Sequence, residues 1–342
     1  MNTIKWLLGL VFLVASLLAG AAYGIYYGLT QPLLISEPQE YQVEAGYTAN
    51  RVGDQFAARG WIYHPMLVRA AMKLNPQWVL KVGKYRLEPD MSLLDVLALI
   101  DSGKAIFHEI TLLEGKTVKD YIQLMAAKGN IEMTLEGASL RQIAEALGTD
   151  YASAEGLIFA NTYRYHDGDR DIDILLHAHD ALNQQLEQAW QQRSPKLPLT
   201  DPYSALIMAS IIEKETGVPE ERGLISGVFV NRLRKNIRLQ TDPTVIYGLG
   251  DRFNGNLTRA HLREDTPFNT YRIDGLPPTP IANVGKASLL AAVQPEHTDA
   301  LYFVARGDGT HQFSRTLREH NEAVAHFQKY RRRSDYQSSP NQ

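Results

Sequence analysis

The sequence predicts an α+β fold in three parts: an N-terminal transmembrane helix, a small α/β domain, and a larger domain that is mixed but mostly helical. Three observations carry this expectation. Residues 6–29 contain no charged side chain and have about the length a bilayer core requires. Short β-like pieces then alternate with helical runs as far as residue 128. Beyond Gly129 the apolar positions recur mainly at helical spacing. A chain of 342 residues is long enough for such a division, since domains usually take about 100–200 residues.

Composition narrows the function classes. The formal net charge is -3, so nothing points to nucleic acid as a partner. With no cysteine, disulfides, thiol catalysis and cysteine metal sites are excluded, while an oxidising compartment stays open.

Residues 1–5 are expected to form a cytoplasmic tail and residues 6–29 a membrane anchor. Lys5 and the amino terminus are the nearby positive charges, and Glu37 and Glu40 follow the apolar run, which places the bulk of the chain outside the cytoplasm. Trp6 at one end and Tyr23, Tyr26 and Tyr27 at the other suit the two interfaces. A cleaved signal peptide is the competing reading, because residues 19–22 are small; the length of the run favours an uncleaved anchor.

Residues 30–40 read as a linker, and residues 41–128 as the small α/β region. Its elements are a β-like piece at Tyr41, a turn at Gly46, and helices over 48–59 and 65–73. A strand over 83–87 follows, then a helix over 93–100 capped by Ser92 and ended by Gly103. A strand over 106–113 and a helix from Thr117 to Met125 complete it. Pattern alone leaves a plain spacer and a glycan-binding module both open. Residues 129–330 form the third part, with helices over 140–147 and 172–193, the latter marked by Ile174, Leu175, Ala178, Leu182 and Leu186. After the central helix described next comes another, with Leu224, Ile225, Val228, Phe229 and Leu233 on one face. Loops, a strand over 301–304 and a helix from Arg315 capped by Ser314 end this part, and residues 331–342 read as a flexible tail.

The stretch 202–217, PYSALIMASIIEKETG, is the expected centre. Asp201 can cap it, Pro202 suits its first turn and Gly217 its exit. It is apolar almost all round, so it should be buried. At about 100° per residue Glu213 shares a stripe with Leu206, Ala209, Ser210 and Thr216, whereas Glu215 falls with Ile207, Met208 and Ile211. Small side chains on the Glu213 face can leave room for a substrate, and apolar surroundings keep a glutamate protonated near neutral pH. The alternative is a structural glutamate, or an ion pair of Glu213 or Glu215 with Lys214 or Arg222.

Other clusters carry less. Asp167, Asp169, Asp171 and Asp173 alternate like a calcium loop, but Ile172 stands at the glycine position and no glutamate closes the loop, so they read as a polar turn and helix cap. His177 and His179 lack the i, i+4 spacing of a zinc pair, and no metal is expected. Residues 234–250, RKNIRLQTDPTVIYGLG, gather Gln240, Thr241, Asp242, Thr244 and Tyr247; Asn269, Thr270 and Tyr271 repeat the flavour, and a rigid loop covers 275–280. Such groups suit sugar hydroxyls and acetamides.

Four stretches arrive in order: ASIIEKET at 209–216, RLQTDPTVIYG at 238–248, NTY at 269–271 and GLPPTPI at 275–281. Together they closely resemble the endolytic murein transglycosylases of the MltG, or YceG-like, family, and ALYFVARGDGTHQFSRTLREHN extends the match. The resemblance implies a LysM-like module over residues 41–100 and a catalytic domain over 129–330. It implies an enzyme in the cytoplasmic membrane, facing the periplasm, that cuts nascent peptidoglycan between MurNAc and GlcNAc. Glu213 is its implied catalytic acid; from the polar clusters themselves, Gln240, Thr241, Asp242, Tyr247, Asn269 and Tyr271 are the expected substrate contacts. No cofactor is implied. Partners would be glycan strands, the membrane and peptidoglycan synthases. The chain departs from the family pattern at Ala160 and Asn161 in EGLIFANTY, where proline and aspartate are usual, and at Val284, where proline is usual.

The expected chemistry needs one carboxyl group. Protonated Glu213 would donate to the glycosidic oxygen; its carboxylate would then take the proton of the C6 hydroxyl as that oxygen attacks C1, leaving a 1,6-anhydro end. A hydrolase would need a second carboxylate, for which Asp242 is the candidate. A muramidase using water and a non-catalytic glycan-binding scaffold remain the alternatives.

Overall fold

The charge-free N-terminal stretch folds as one long helix, α1 (Asn2–Thr30), in the computed structural model, which describes residues 2–330. It is long and apolar enough to cross a membrane, and its side chains are exposed along most of its length. Its last turn is different. Leu29 is buried, and Gly28 lies so close to Leu67 that an added Cβ would come within 2.8 Å of its side chain, which would have to shift.

The chain divides into two units, Met1–His108 and Glu109–Gln342. In the first, β1 (Gln39–Val43) pairs antiparallel with β2 (Gly83–Leu87), Tyr41 opposite Tyr85. Their buried residues alternate, with Tyr41, Val43, Tyr85 and Leu87 inward, as a half-covered sheet requires. Between the strands run α2 (Ala49–Ala58) and α3 (Met66–Leu74), and α4 (Leu93–Ser102) follows. Thr48 caps α2, a Ser92–Asp95 capping box opens α4, and Gly103 closes it in the left-handed region at φ 72°. The core centres on Tyr41, Phe56 and Trp61, whose rings meet edge to face. The expected linker, residues 30–40, is part of this packing: the Leu33 and Leu34 amides donate to Met91 and Trp61 carbonyls, and Leu33 is buried.

The second unit takes in β3 (His108–Thr111), which pairs with β4 (Thr162–Tyr165), then α5 (Val118–Ala126), α6 (Leu140–Ala146) and α7 (Asp171–Gln191). The central helix α8 (Pro202–Glu215) opens with an Asp201–Ser204 capping box and buries residues all round. Around it pack α7, α9 (Arg222–Arg234), α10 (Asp242–Leu249) and α11 (Lys286–Val293). An antiparallel pair, β5 (Tyr302–Ala305) and β6 (His311–Ser314), leads to α12 (Leu317–Val324). Ile110, Leu112, Val118, Tyr121 and Met125 share this unit's core, so the expected boundary after residue 128 falls inside it.

Several elements differ from expectation. α10 and α11 stand where loops are expected. Pro243 and Gly248 disguise the first, and the second, KASLLAAV, is apolar on every side because α7, α8 and α9 enclose it, so it shows no helical period. Ser314 ends β6, and Thr316 caps α12. Asp171 does serve as a polar anchor, accepting from the Thr134 and Leu135 amides and the Thr134 hydroxyl. The tail expected over 331–342 lies outside the described residues.

Candidate active site

A cavity of about 1760 Å³ opens in the second unit. Three linked groups line it. Glu215, Gln240, Thr241, Asp242 and Tyr271 form one; Lys116, Glu155, Lys214 and Tyr247 form another; Arg232, Tyr302, His311 and His320 form the third.

Glu215, the last residue of α8, brings its carboxyl group to this cavity. The Thr241 hydroxyl donates to Glu215 Oε1. Burial pushes the carboxyl up from 4.5 to about 7; the Thr241 bond opposes this, and the Asp242 charge adds to it. Thr241 is itself held by Thr270: the Thr241 amide donates to Thr270 Oγ1 at 3.0 Å, and the Gln240 amide to the Thr270 carbonyl at 3.2 Å. Gln240 sits at φ 52°, a left-handed backbone that a non-glycine residue adopts at a cost. Its side chain accepts from Arg232 Nη1 at 3.2 Å. The Asp242 carboxylate accepts from the Tyr271 hydroxyl at 2.6 Å, and both residues line the cavity.

Glu213 is placed otherwise. It is 2% exposed and is not among the cavity's lining residues. Its Oε2 accepts from the Gly285 amide at 3.1 Å, and its Oε1 lies 3.5 Å from Arg222 Nη2. The small side chains on its face pack against backbone. Ser210 Oγ accepts from the Ile281 amide at 3.0 Å, so the backbone over 281–285 runs along that face. Glu114 crowds the same place: its Oε1 would be 1.6 Å from a Cβ on Gly285, and burial, then the Glu213 charge, holds its carboxyl above the usual range against the pull of Arg222. The ion pair with Arg222, the alternative reading of Glu213, is thus present in the fold.

The other expected contacts divide. Gln240, Thr241, Asp242, Tyr247 and Tyr271 line the cavity; Asn269 does not. Asn269 is wholly buried, its Nδ2 donating to the His261 and Glu264 carbonyls and its Oδ1 accepting from the Tyr271 amide, so it shapes the loop that presents Tyr271.

Glu155 is a cavity residue that spacing does not single out; its place in EGLIFANTY is its one signal. It is 2% exposed, its Oε1 accepting from the Val118 amide at 3.1 Å and from Asn283 Nδ2 at 3.4 Å. Tyr247 OH donates to its Oε2 at 3.4 Å. Burial raises this carboxyl to about 7 as well. The departures at 160 and 284 meet each other: the Ala160 amide, which a proline would lack, donates to the Val284 carbonyl at 3.1 Å.

Fold and cavity together define an α+β protein that holds a neutral-range acid, ringed by hydroxyl and amide groups, in a large cleft. The chain belongs to the YceG-like family, which it matches over residues 41–326. An endolytic murein transglycosylase of Bacillus subtilis (strain 168) is 38% identical to it over 169 residues, 49% of this chain and 46% of the relative. One from Streptococcus pneumoniae (serotype 2 strain D39) is 25% identical over 355 residues, 92% of this chain and 64% of the relative. The chain thus spans about half of the first relative and 64% of the second. A yceG-like protein of Listeria monocytogenes superposes with a TM-score of 0.51 at 28% identity, over 84% of this chain and 99% of that one.

Proposed function

We propose that the protein is an endolytic lytic transglycosylase that cleaves the MurNAc–GlcNAc bond of nascent peptidoglycan, and that Glu215, not Glu213, is its acid. The observation that carries this is a carboxyl group raised to about 7 by burial and opening on a cavity of about 1760 Å³. The names of the relatives support the substrate class. Glu215 donates its proton to the glycosidic oxygen as the C1–O bond breaks. The carboxylate left behind takes the proton of the MurNAc C6 hydroxyl while that oxygen bonds to C1, which closes a 1,6-anhydro ring and consumes no water. Gln240, Thr241, Asp242, Tyr247 and Tyr271 contact the sugars.

Asp242, whose charge reaches Glu215 in the same cavity, favours one rival: hydrolysis with a second carboxylate. Mass spectrometry of the products of purified glycan strands decides. Anhydro ends support the transglycosylase, reducing ends the hydrolase, and uncut strands a non-catalytic scaffold in a complex with peptidoglycan synthases.

Helix α1 serves as an uncleaved anchor in the cytoplasmic membrane, with the bulk of the chain in the periplasm. A reporter that works only after export, fused after Gln342, should be active; activity of a cytoplasm-only reporter at that position refutes the orientation. The order strand, two helices, antiparallel strand in the first unit supports the LysM-like reading. Residues 31–108 should then sediment with peptidoglycan sacculi, and failure to do so leaves the unit a spacer.

A further inference from the structure

The cavity wall that α9 and β5 contribute holds a guanidinium whose bonds within the fold do not use it up. Arg232 is 7% exposed. Its Nε donates to the Leu301 carbonyl at 2.6 Å, and its Nη1 to the Arg238 and Leu239 carbonyls at 2.9 and 3.0 Å and to Gln240 Oε1 at 3.2 Å. A guanidinium also carries N–H donors on its other terminal nitrogen, and Nη2 has no acceptor among the described residues. Nη2 is not sealed inside the protein either, and Arg232 lines the cavity.

The charge is as little used as the donors. Among the described residues no carboxylate forms an ion pair with Arg232. Carbonyl oxygens and the Tyr302 ring, whose centroid lies 4.9 Å from Cζ, face it instead. Buried charges are ordinarily paired, so a guanidinium here lacks the partner that its burial calls for. Its neighbours leave room for one. The Tyr302 hydroxyl, on the same cavity, makes no hydrogen bond among the described residues and is not sealed. The His320 ring stacks on Tyr302 at 5.3 Å; burial, and then the Arg232 charge, holds its imidazole below the ordinary 6.5, so it adds no second cation at neutral pH. The wall adjoins the sugar contacts directly, because Gln240, which Arg232 holds, precedes the Thr241 that bonds to Glu215.

We propose that Arg232 Nη2 and the Tyr302 hydroxyl form a carboxylate-binding subsite of the cavity that takes an anionic substituent of the glycan strand. This rests on the reading that a murein strand occupies the cavity. Two sources offer that chemistry: a carboxylate of the stem peptide, or the lactyl carboxylate that MurNAc exposes once its peptide is removed. A planar guanidinium suits either, since its N–H groups match the spacing of carboxylate oxygens.

The test compares each anionic strand with the same strand after its carboxylates are converted to amides, using peptide-bearing and peptide-free strands. Binding is measured in a Glu215→Gln background or, should that variant still cut, as a ratio of KM values. The anionic strand should bind about tenfold more tightly than its amide, the size of one charge-assisted contact, and added salt should shrink the ratio. Arg232→Gln should bring the ratio to within about twofold of one, whatever it does to both strands through the turn that Arg232 holds. Tyr302→Phe, which keeps the ring, should lower it about threefold. A ratio confined to peptide-bearing strands assigns the stem peptide, one confined to peptide-free strands the lactyl group, and one on both means that the subsite takes either. Strands that bind with a ratio near one, or a ratio that survives Arg232→Gln, overturn the subsite alone; if Arg232→Gln does not fold, a ratio unchanged by Tyr302→Phe does so. If no strand binds, the subsite falls together with the occupancy of the cavity by murein.

Discussion

The two glutamates of one triplet, two residues apart on α8, meet opposite surroundings. Glu213 points at protein: Gly285, Arg222 and the crowding carboxyl of Glu114. Glu215 points at the cavity and has the Thr241 hydroxyl for a partner. Helical periodicity sorts residues onto faces, but it does not say which face stays uncovered. A face of small side chains marks the close approach of another backbone as readily as it marks a cleft, and here the chain over 281–285 fills it.

Glu215→Gln retains shape but removes the transferable proton, and should lower release of anhydro products by at least the ~10² to 10⁴ of general acid and base catalysis. Glu213→Gln, assayed on its folded fraction, should keep most of the wild-type rate. The reverse pattern returns the chemistry to Glu213.

The same pair should separate again in stability. Glu213→Gln removes the carboxylate paired with the buried Arg222 guanidinium and leaves it only the more weakly ionised Glu114, and Arg222 Nε already lacks a partner among the described residues. A loss of about 3 kcal/mol is expected, the lower end for breaking a buried pair, since the new amide can still accept from Gly285. Urea denaturation measures it. An unshifted midpoint means that this face of α8 is less committed to the ion pair than its packing implies.

A third separation is in pH. Only the protonated form of Glu215 can start the reaction, so with its carboxyl at about 7 the rate should be level in mild acid and fall about tenfold per pH unit above 7. Stability moves the same way. The unfolded chain ionises this group near 4.5 and the folded one near 7, so the unfolded state binds fewer protons in between and stability declines as pH rises from about 4.5 to about 7. Glu155, raised to about 7 by burial, adds to that decline, and Glu155→Gln should flatten it. A rate that rises through pH 8 is incompatible with Glu215 as the acid.

Much of this was legible in the sequence where one physical rule acts alone. Capping residues marked the starts of α4 and α8, and the strand expected over 83–87 is β2 to the residue. Five of the six expected sugar contacts reach the cavity because they stand in short motifs that fold back on α8. What stayed hidden depends on partners far along the chain. α11 shows no period because three helices enclose it, Asn269 spends its amide on backbone groups, and Glu155 becomes a cavity acid only when Val118, Tyr247 and Asn283 converge on it.

The smallest effect tests how finely the Glu215 face is tuned. The Thr241 hydroxyl bonds to the carboxylate and so favours its ionised form, whereas the Asp242 charge disfavours it. Thr241→Val keeps the shape and removes the donor, so the alkaline fall in rate should move to higher pH, by up to about one unit. Asp242→Asn removes the opposing charge and should move it to lower pH by less. Plateau rates should change little in the first case and fall somewhat in the second, because the bond from Tyr271 to a charged acceptor is weakened as well. The opposite signs are the point of the pair. A general loss of folding or of substrate binding would shift both profiles alike or neither, and only a carboxyl group held between these two neighbours sends them in opposite directions.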